Sequence, residues 1–372
     1  MSSQGIQTEK MGRSQALAFA CSLCKCEGYD LGISSPTVIV PDTRISVGEY
    51  LSIHHAPCSF DQIEKYWSDY AIEPECLFDF LRSQSEAFDS GVGNGHWAGA
   101  NGNVPVSDET SSELAVRVGK QLLRAHPDAA AKTMGVIFYS ATLSSRPAWS
   151  TSCRLHFELG LKCDTAFMIS QKGANASYAA LRVAAEMLHI EQLDKILLIG
   201  SEIFAPPQSR IFSGFSVQGD SASALLLERR EYAFKLCCIG LYDFAKQPPG
   251  TANSTHDELL DYWTGATVSA LMHLLEASGV RREKLAFVIP PGCSPELLYR
   301  IADELRIPRE KFDCSASREV GSLGSSDLVL NLDRMIKSGV LSLGDEIISF
   351  GFSSHGSVCG CVLRYEERGG VR

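Results

Sequence analysis

Residues 166–202 read AFMISQKGANASYAALRVAAEMLHIEQLDKILLIGSE, and this stretch decides the fold. It opens with an apolar run of strand length that stops at a polar turn around Gly173. From Asn175 to Ile190, Ala, Leu and other apolar residues recur at helical spacing over a length that strands rarely reach. KILLIGSE (195–202) is a second run of buried-strand type, closing on Gly200, Ser201 and Glu202. Upstream, GVIFYSAT (135–142) adds a strand ahead of CDTAFMISQ (163–171). Downstream the order recurs as KLAFVIPPG (284–292), the helix PELLYRIADELRI (295–307), KFDCSAS (311–317), the helix SDLVLNLDRMIKSG (326–339) and the strand EIISFGFSSHG (346–356). Strands alternating with helices of this length imply right-handed crossovers and buried mixed or parallel sheets. Two such units predict an α/β layered sandwich, with helices between and outside two sheets.

The flanking sequence is less periodic. Residues 1–35 show no clean repeat, so ordered structure is expected to begin with TVIVPDTRISVGEYLSI (37–53), where β-branched and polar residues alternate. Phe60, Ile63, Tyr66, Trp67 and Phe78 fall at helical spacing that Pro74 breaks. DSGVGNGHWAGANGNVPVSD (89–108) reads as a long loop, and Thr110–His126 as an amphipathic helix. The division expected is an N-terminal extension (1–35), a first half (36–228) and a second half (229–372).

With 372 residues, 45% hydrophobic and 21% charged, the chain has the composition of a globular protein that buries a large core. A formal net charge of −10 argues against a nucleic-acid partner, whose phosphates demand Lys and Arg. No stretch approaches the ~18 apolar residues of a membrane span. The apolar part of MGRSQALAFAC (11–21) is shorter than the ~7–15 residue core of a signal peptide, so a cytoplasmic chain is expected. Of the 13 cysteines, Cys237, Cys238, Cys314, Cys359 and Cys361 fall in apolar segments where a thiol acts as a small hydrophobe. Cys21, Cys24 and Cys26 form a CSLCKC cluster, but no second pair with zinc-ligand spacing follows it and no metal is expected.

Five segments together resemble the ketoacyl synthase III branch of the thiolase superfamily, over about residues 37–365. The opening stretch matches the order of strand, nucleophile turn, buried helix and following strand. VQGDSASALLLER (217–229) resembles the family's FGDGAGAAVL segment, and KLAFVIPPGCSPELLYRIADELRIP (284–308) lies where its PHQAN motif falls. EVGSLGSSDLVLNL (319–332) lies at the GNTSAAS motif, and ISFGFSSHGSVCGCVLRY (348–365) at the Gly-rich final turn and last strand. The resemblance implies a thiolase-like α-β-α-β-α sandwich with two pseudo-repeated halves. It also implies acyl-CoA or phosphopantetheine thioesters as substrates, with no covalently bound cofactor.

The family's Cys, held at a helix N-terminus, takes the acyl group, while His and Asn stabilise an enolate. Ala174, Pro291 and Ser322 occupy those three positions here, with Gly321 as the alternative to the last. Ala cannot attack a thioester, and Pro has neither an imidazole nor a backbone N–H. Ordinary decarboxylative condensation is therefore not expected. His355, in the Gly-rich turn, is a candidate general base or simply a hydrogen-bonding loop residue. Asp327 resembles an acidic position of relatives that acylate hydroxyls or amines; equally, it suits a helix N-cap. Ser322 completes the catalytic candidates. Lys172, Asn175 and Cys293 are candidates for substrate binding, against a solvated Lys, a helix cap and a buried inert thiol. Ser177 is expected to face packing. His96 and Trp97 fall where the family has a GIxxR segment, and its Arg is missing.

Three readings follow. The first is an acyltransferase of specialised-metabolite biosynthesis, working without an acyl-cysteine. The second is a non-catalytic partner of an intact ketosynthase homologue, and the third a binding protein for an acyl chain or acyl carrier protein. Expected partners are coenzyme A or an acyl carrier protein and a second subunit, as homodimer or heterodimer, with neither nucleic acid nor membrane.

Overall fold

The computed structural model describes residues 19–26, 28–46, 103–141, 150–190, 193–204, 210–212, 216–244, 256–353 and 356–368. The first strands are β1 (Phe19–Lys25), β2 (Leu31–Ile39), β3 (Arg44–Ser46) and β4 (Asn103–Pro105). Helices α1 (Ser111–Ala125) and α2 (Pro127–Lys132) lead to β5 (Gly135–Tyr139), α3 (Thr151–Glu158), β6 (Thr165–Ile169) and α4 (Ala176–Ile190). Then come β7 (Lys195–Glu202), the short β8 (Ile211–Phe212) and β9 (Ser216–Val217), and the long β10 (Ser221–Arg229) and β11 (Phe234–Phe244). The chain closes with α5 (His256–Ser278), β12 (Leu285–Ile289), α6 (Pro295–Leu305), α7 (Ser315–Val320), α8 (Asp327–Ser338), β13 (Glu346–Ser353) and β14 (Ser357–Tyr365).

Ordered structure starts earlier than the sequence pattern suggests. β1 and most of β2 lie inside the expected N-terminal extension, β1 pairing antiparallel with β11 from Phe19↔Phe244 to Lys25↔Cys238. Along FACSLCK half-buried and exposed residues alternate from Phe19 to Leu23, but the exposed positions carry Ala20 and Ser22, too small and weakly polar for a period to stand out in the sequence. The expected long strand from Thr37 is likewise shorter: β2 ends at Ile39, just ahead of Pro41, which has no N–H to give a ladder. The helical spacing at residues 60–78 and the loop bearing His96 and Trp97 lie outside the described residues.

The sheet runs β12-β13-β14-β11-β2-β10-β7-β5-β6, with β1 added on β11. Numbered along the chain, the strands of the first half stand in space as third, second, fourth, fifth, first. The second half repeats this order, with Phe312 bridging Val288 where the third strand belongs. Pairing types repeat too: β5–β7 and β12–β13 are parallel, β7–β10 and β13–β14 antiparallel. The halves meet where β2 pairs with β11 at Ile33↔Phe234 and Gly32↔Lys235.

Three apolar clusters set the layers. α1 and α3 cover one face of the first half through Leu114, Val118, Leu122 and Leu155 against Val136, Phe138 and Ile199. α5 and α6 cover the far face of the second half through Trp263, Leu271, Leu297 and Ile301. Between the half-sheets lie α4 and α8, whose Ala180, Ala184, Leu188, Val329 and Leu332 touch strands of both. Ala lines the core side of α4 because two sheets approach it at once and leave no room for larger side chains. Cys314 departs from the apolar-strand expectation: it is half-buried at the residue before α7, its thiol directed at the Phe312 carbonyl oxygen. No helix among the described residues is long and apolar enough to cross a membrane.

Candidate functional site

The two central helices are entered by the same device. Gly173, at φ 56°, opens the 3₁₀ turn Gly173–Asn175 ahead of α4, and Gly324, at φ 59°, opens Gly324–Ser326 ahead of α8. Left-handed backbone is cheap only for Gly, so this residue fixes where the helix begins. Each turn packs against the end of a strand in the opposite half. A Cβ on Gly173 would lie 2.7 Å from Cβ of Ser353, the last residue of β13; one on Gly324 would lie 3.4 Å from Cγ of Glu202, the last residue of β7. Ala174 is half-buried in the first turn, and Ser325 holds the matching place in the second.

The loop after β12 crosses the segment before α8 at Gly292, where a Cβ would stand 2.5 Å from Cα of Ser322. Pro291 is buried beside it. Asp327 ties this crossing together: Gly292 N–H donates to Oδ2 at 3.0 Å, Ser322 Oγ donates to Oδ2 at 2.9 Å, and Leu323 N–H donates to Oδ1 at 2.7 Å. The N-cap of α8 is Ser326, so Asp327 is not the helix cap the sequence allowed; its carboxylate points back to join two loops. Burial pushes its pKa up to about 6 even though all three hydrogen bonds favour the charged form.

A second acid lies nearby. Glu202 is fully buried, accepting from Ser325 Oγ, from Ala141 N–H at 2.7 Å and from Ser140 Oγ at 3.3 Å. Desolvation raises its pKa to about 7 against the pull of these donors. The sequence named Glu202 only as part of a strand-end motif. Its proximity to Ser325 spans 123 residues of chain and left no local signal.

The remaining candidates disperse. Asn175 is fully buried, and its Nδ2 donates to the carbonyl oxygen and Oγ of Ser357 at 3.1 and 3.0 Å. Its amide therefore neither caps α4 nor stands free, and Oδ1 has no hydrogen-bond partner. Lys172 is exposed at the head of the first turn. Cys293 is 2% exposed, and burial drives its thiol pKa well above the ordinary value, so it is held as the neutral thiol. Ser177 is buried without a partner for its hydroxyl, facing packing as expected. His355 lies outside the described residues, between Ser353 and Ser357, whose hydroxyls are 2.8 Å apart.

Comparison with known proteins comes to the same architecture. Residues 275–365 match the family described as 3-oxoacyl-[acyl-carrier-protein] synthase III C terminal. A beta-ketoacyl-[acyl-carrier-protein] synthase III of Clostridium perfringens is 23% identical over 303 residues, 76% of this chain and 91% of that protein. Among solved structures, the acyltransferase ChlB3 superposes with a TM-score of 0.68 at 17% identity, covering 91% of this chain and 98% of its own. The 3-oxoacyl-[acyl-carrier-protein] synthase III of Aquifex aeolicus gives 0.66 at 19% identity, over 90% and 100%.

Proposed function

Starting from a ketoacyl synthase III-like chain with the thiolase fold, we propose an acyltransferase that takes an acyl-CoA or acyl-carrier-protein thioester. It passes the acyl group directly to a hydroxyl or amine acceptor, in a specialised biosynthetic pathway, with no acyl-cysteine intermediate. The observation that carries this reading is the pairing of Ala174, partly open at the head of α4, with Asp327 behind the crossing of the Pro291 and Ser322 loops. The place of the thiol is chemically silent, while the turn packed against it runs directly into a carboxylate with a pKa near 6. Holding two reactants in register contributes ~7–11 kcal/mol to a bimolecular step, so direct transfer needs no covalent intermediate.

In this reading the acceptor attacks the thioester carbonyl, its proton passes to His355, the C–S bond breaks, and His355 returns the proton to the departing thiolate so that the donor leaves as a free thiol. Ser322 and Asp327 fix the loop that faces the carbonyl. Lys172, exposed at the turn, meets the phosphate of coenzyme A or phosphopantetheine. Asn175 braces the Ser353–Ser357 segment through Ser357, which makes it a positioning residue. The enzyme acts in the cytoplasm as a homodimer or beside a ketosynthase homologue.

One observation favours a silent partner subunit instead: the Asp327 carboxylate, the Ser322 hydroxyl and the Asn175 amide nitrogen are already engaged by internal hydrogen bonds. Incubating the full chain with acyl-CoA and candidate acceptors separates the readings. Acyl transfer predicts acceptor-dependent release of free thiol, no mass adduct on the protein, and loss of turnover in His355→Ala. An acyl adduct on Cys293 with malonyl decarboxylation overturns it. No thiol release, together with co-purification of an intact homologue, establishes the silent subunit.

A further inference from the structure

The CSLCKC segment plays no part in that site, yet the fold brings two of its thiols together. Cys24 and Cys26 are two apart along β1 and its end, so their side chains share one face. Their sulfurs lie 3.6 Å apart, with Cys26 Sγ also directed at the Cys24 carbonyl oxygen at 3.8 Å. We propose that Cys24 and Cys26 form a redox-active dithiol that small-molecule disulfides convert to an intrachain disulfide.

Closing the pair moves the sulfurs from 3.6 Å to the ~2.05 Å of an S–S bond, a shift that a strand end absorbs locally. Cys24 and Cys26 are 4% and 0% exposed, so exchange proceeds through local opening of this strand end. Among the described strands β1 pairs with β11 alone, and the exposed Lys25 and Gly28 flank the pair. The contact with Cys26 lowers the Cys24 pKa from its ordinary value, against burial and the Glu186 carboxylate and with a smaller pull from the Arg182 guanidinium, and this makes Cys24 the attacking thiol. Cys26 is correspondingly held protonated by the same pairing, by burial and by the neighbouring thiols Cys24 and Cys238. No group of three or more His, Cys, Asp or Glu placed to hold a metal exists among the described residues.

The chemistry balances as two exchanges. The Cys24 thiolate attacks one sulfur of a disulfide such as oxidised glutathione and expels one thiolate. Cys26 gives its proton to that thiolate and attacks Cys24 Sγ, expelling the second. Two protein thiols are oxidised and one disulfide is reduced to two thiols. The product ties off the β1–β2 connection, where Tyr29 stacks on His189 of α4 at 3.8 Å and Ser22 meets Arg182 at 2.9 Å.

The test uses the full chain, equilibrated in reduced or oxidised glutathione, alkylated and digested with trypsin. Cleavage after Lys25 separates the two cysteines, so the disulfide appears as peptide 14–25 linked to peptide 26–44. The linked pair is expected in oxidised buffer, to persist in Cys21→Ser and Cys238→Ser, and to vanish in Cys24→Ser. Phenylarsine oxide, which bridges close dithiols, is expected to protect both cysteines of the unmodified chain from alkylation until a small dithiol removes it. Free, alkylatable Cys24 and Cys26 under conditions that oxidise the exposed Cys153 overturn the proposal. So does a link that survives Cys24→Ser, which would assign the bond to Cys21 and Cys26. Neither outcome depends on acyl transfer.

Discussion

The turns ahead of α4 and α8 share one backbone plan and differ in what they hold. Both open on a left-handed Gly and both pack on the last residue of a strand from the other half. The first joins Gly173, Ala174 and Asn175 to Ser353 and Ser357, none of which carries an ionisable group. The second joins Gly324, Ser325 and Ser326 to Glu202, and runs directly into Asp327. Duplication has thus preserved the geometry of the helix entry while titratable chemistry sits on one side of the pseudo-two-fold. Burial explains why the difference matters: a neutral turn folds without electrical cost, whereas two buried acids hold protons close to neutral pH.

The sharpest way to break this contrast is Asp327→Ala. It strands the N–H groups of Gly292 and Leu323 and the hydroxyl of Ser322, and is expected to cost roughly 3–5 kcal/mol in urea unfolding at fixed protein concentration. A loss no greater than that of Asn175→Ala would mean the second turn is not the more strongly tied. Next, Gly173→Ala combines left-handed strain with a 2.7 Å approach to Ser353 and is expected to cost about 3 kcal/mol. Gly324→Ala meets only ordinary contact at 3.4 Å and carries the backbone strain alone, about 1–2 kcal/mol. Equal losses would show that the opposing strand ends do not tell the turns apart.

Glu202→Gln probes the acid side through pH. The folded pKa of Glu202, about 7, lies above its ordinary 4.5, so the folded state keeps a proton that the unfolded chain releases. The stability this confers is complete below pH 4.5 and is lost as pH rises through about 7. Asp327 adds a similar decline between 3.8 and about 6. The Gln variant is expected to flatten the upper part of this profile by roughly 2 kcal/mol, since a unit of pKa corresponds to about 1.4 kcal/mol. An unchanged slope between pH 5 and pH 8 counts against a protonated Glu202. The smallest effect belongs to Asn175→Ala, about 1 kcal/mol, because two bonds to Ser357 are lost while an unpartnered oxygen is removed. Turnover falling further than this stability loss would support a positioning role for Asn175 through Ser357.

The repeat was legible because strand and helix periods differ and each element here is long enough to show its own. KILLIGSE and EIISFGFS read as buried strands and became β7 and β13. β1 was missed because its exposed positions Ala20 and Ser22 are too weakly polar to contrast with the half-buried Phe19, Cys21 and Leu23 beside them in sequence, and a lone Lys25 gives no period. At the site, the sequence marked Ala174, Pro291 and Ser322 by their place in the chain; that Gly292 meets Ser322 across the fold only the structure shows. It did not foresee that Asp327 would turn away from its own helix, since its partners include a residue 35 positions away.

What the chain determined by itself was the order of its elements and the chemical types at its turns, because hydrophobic period and side-chain identity are local properties. Tertiary structure alone decided which acids became buried, which hydroxyls they took as partners and which two thiols came within 3.6 Å. Proton affinity and thiol reactivity depend on the field and solvent around a group, and those are supplied by segments that meet only when the two halves close on each other.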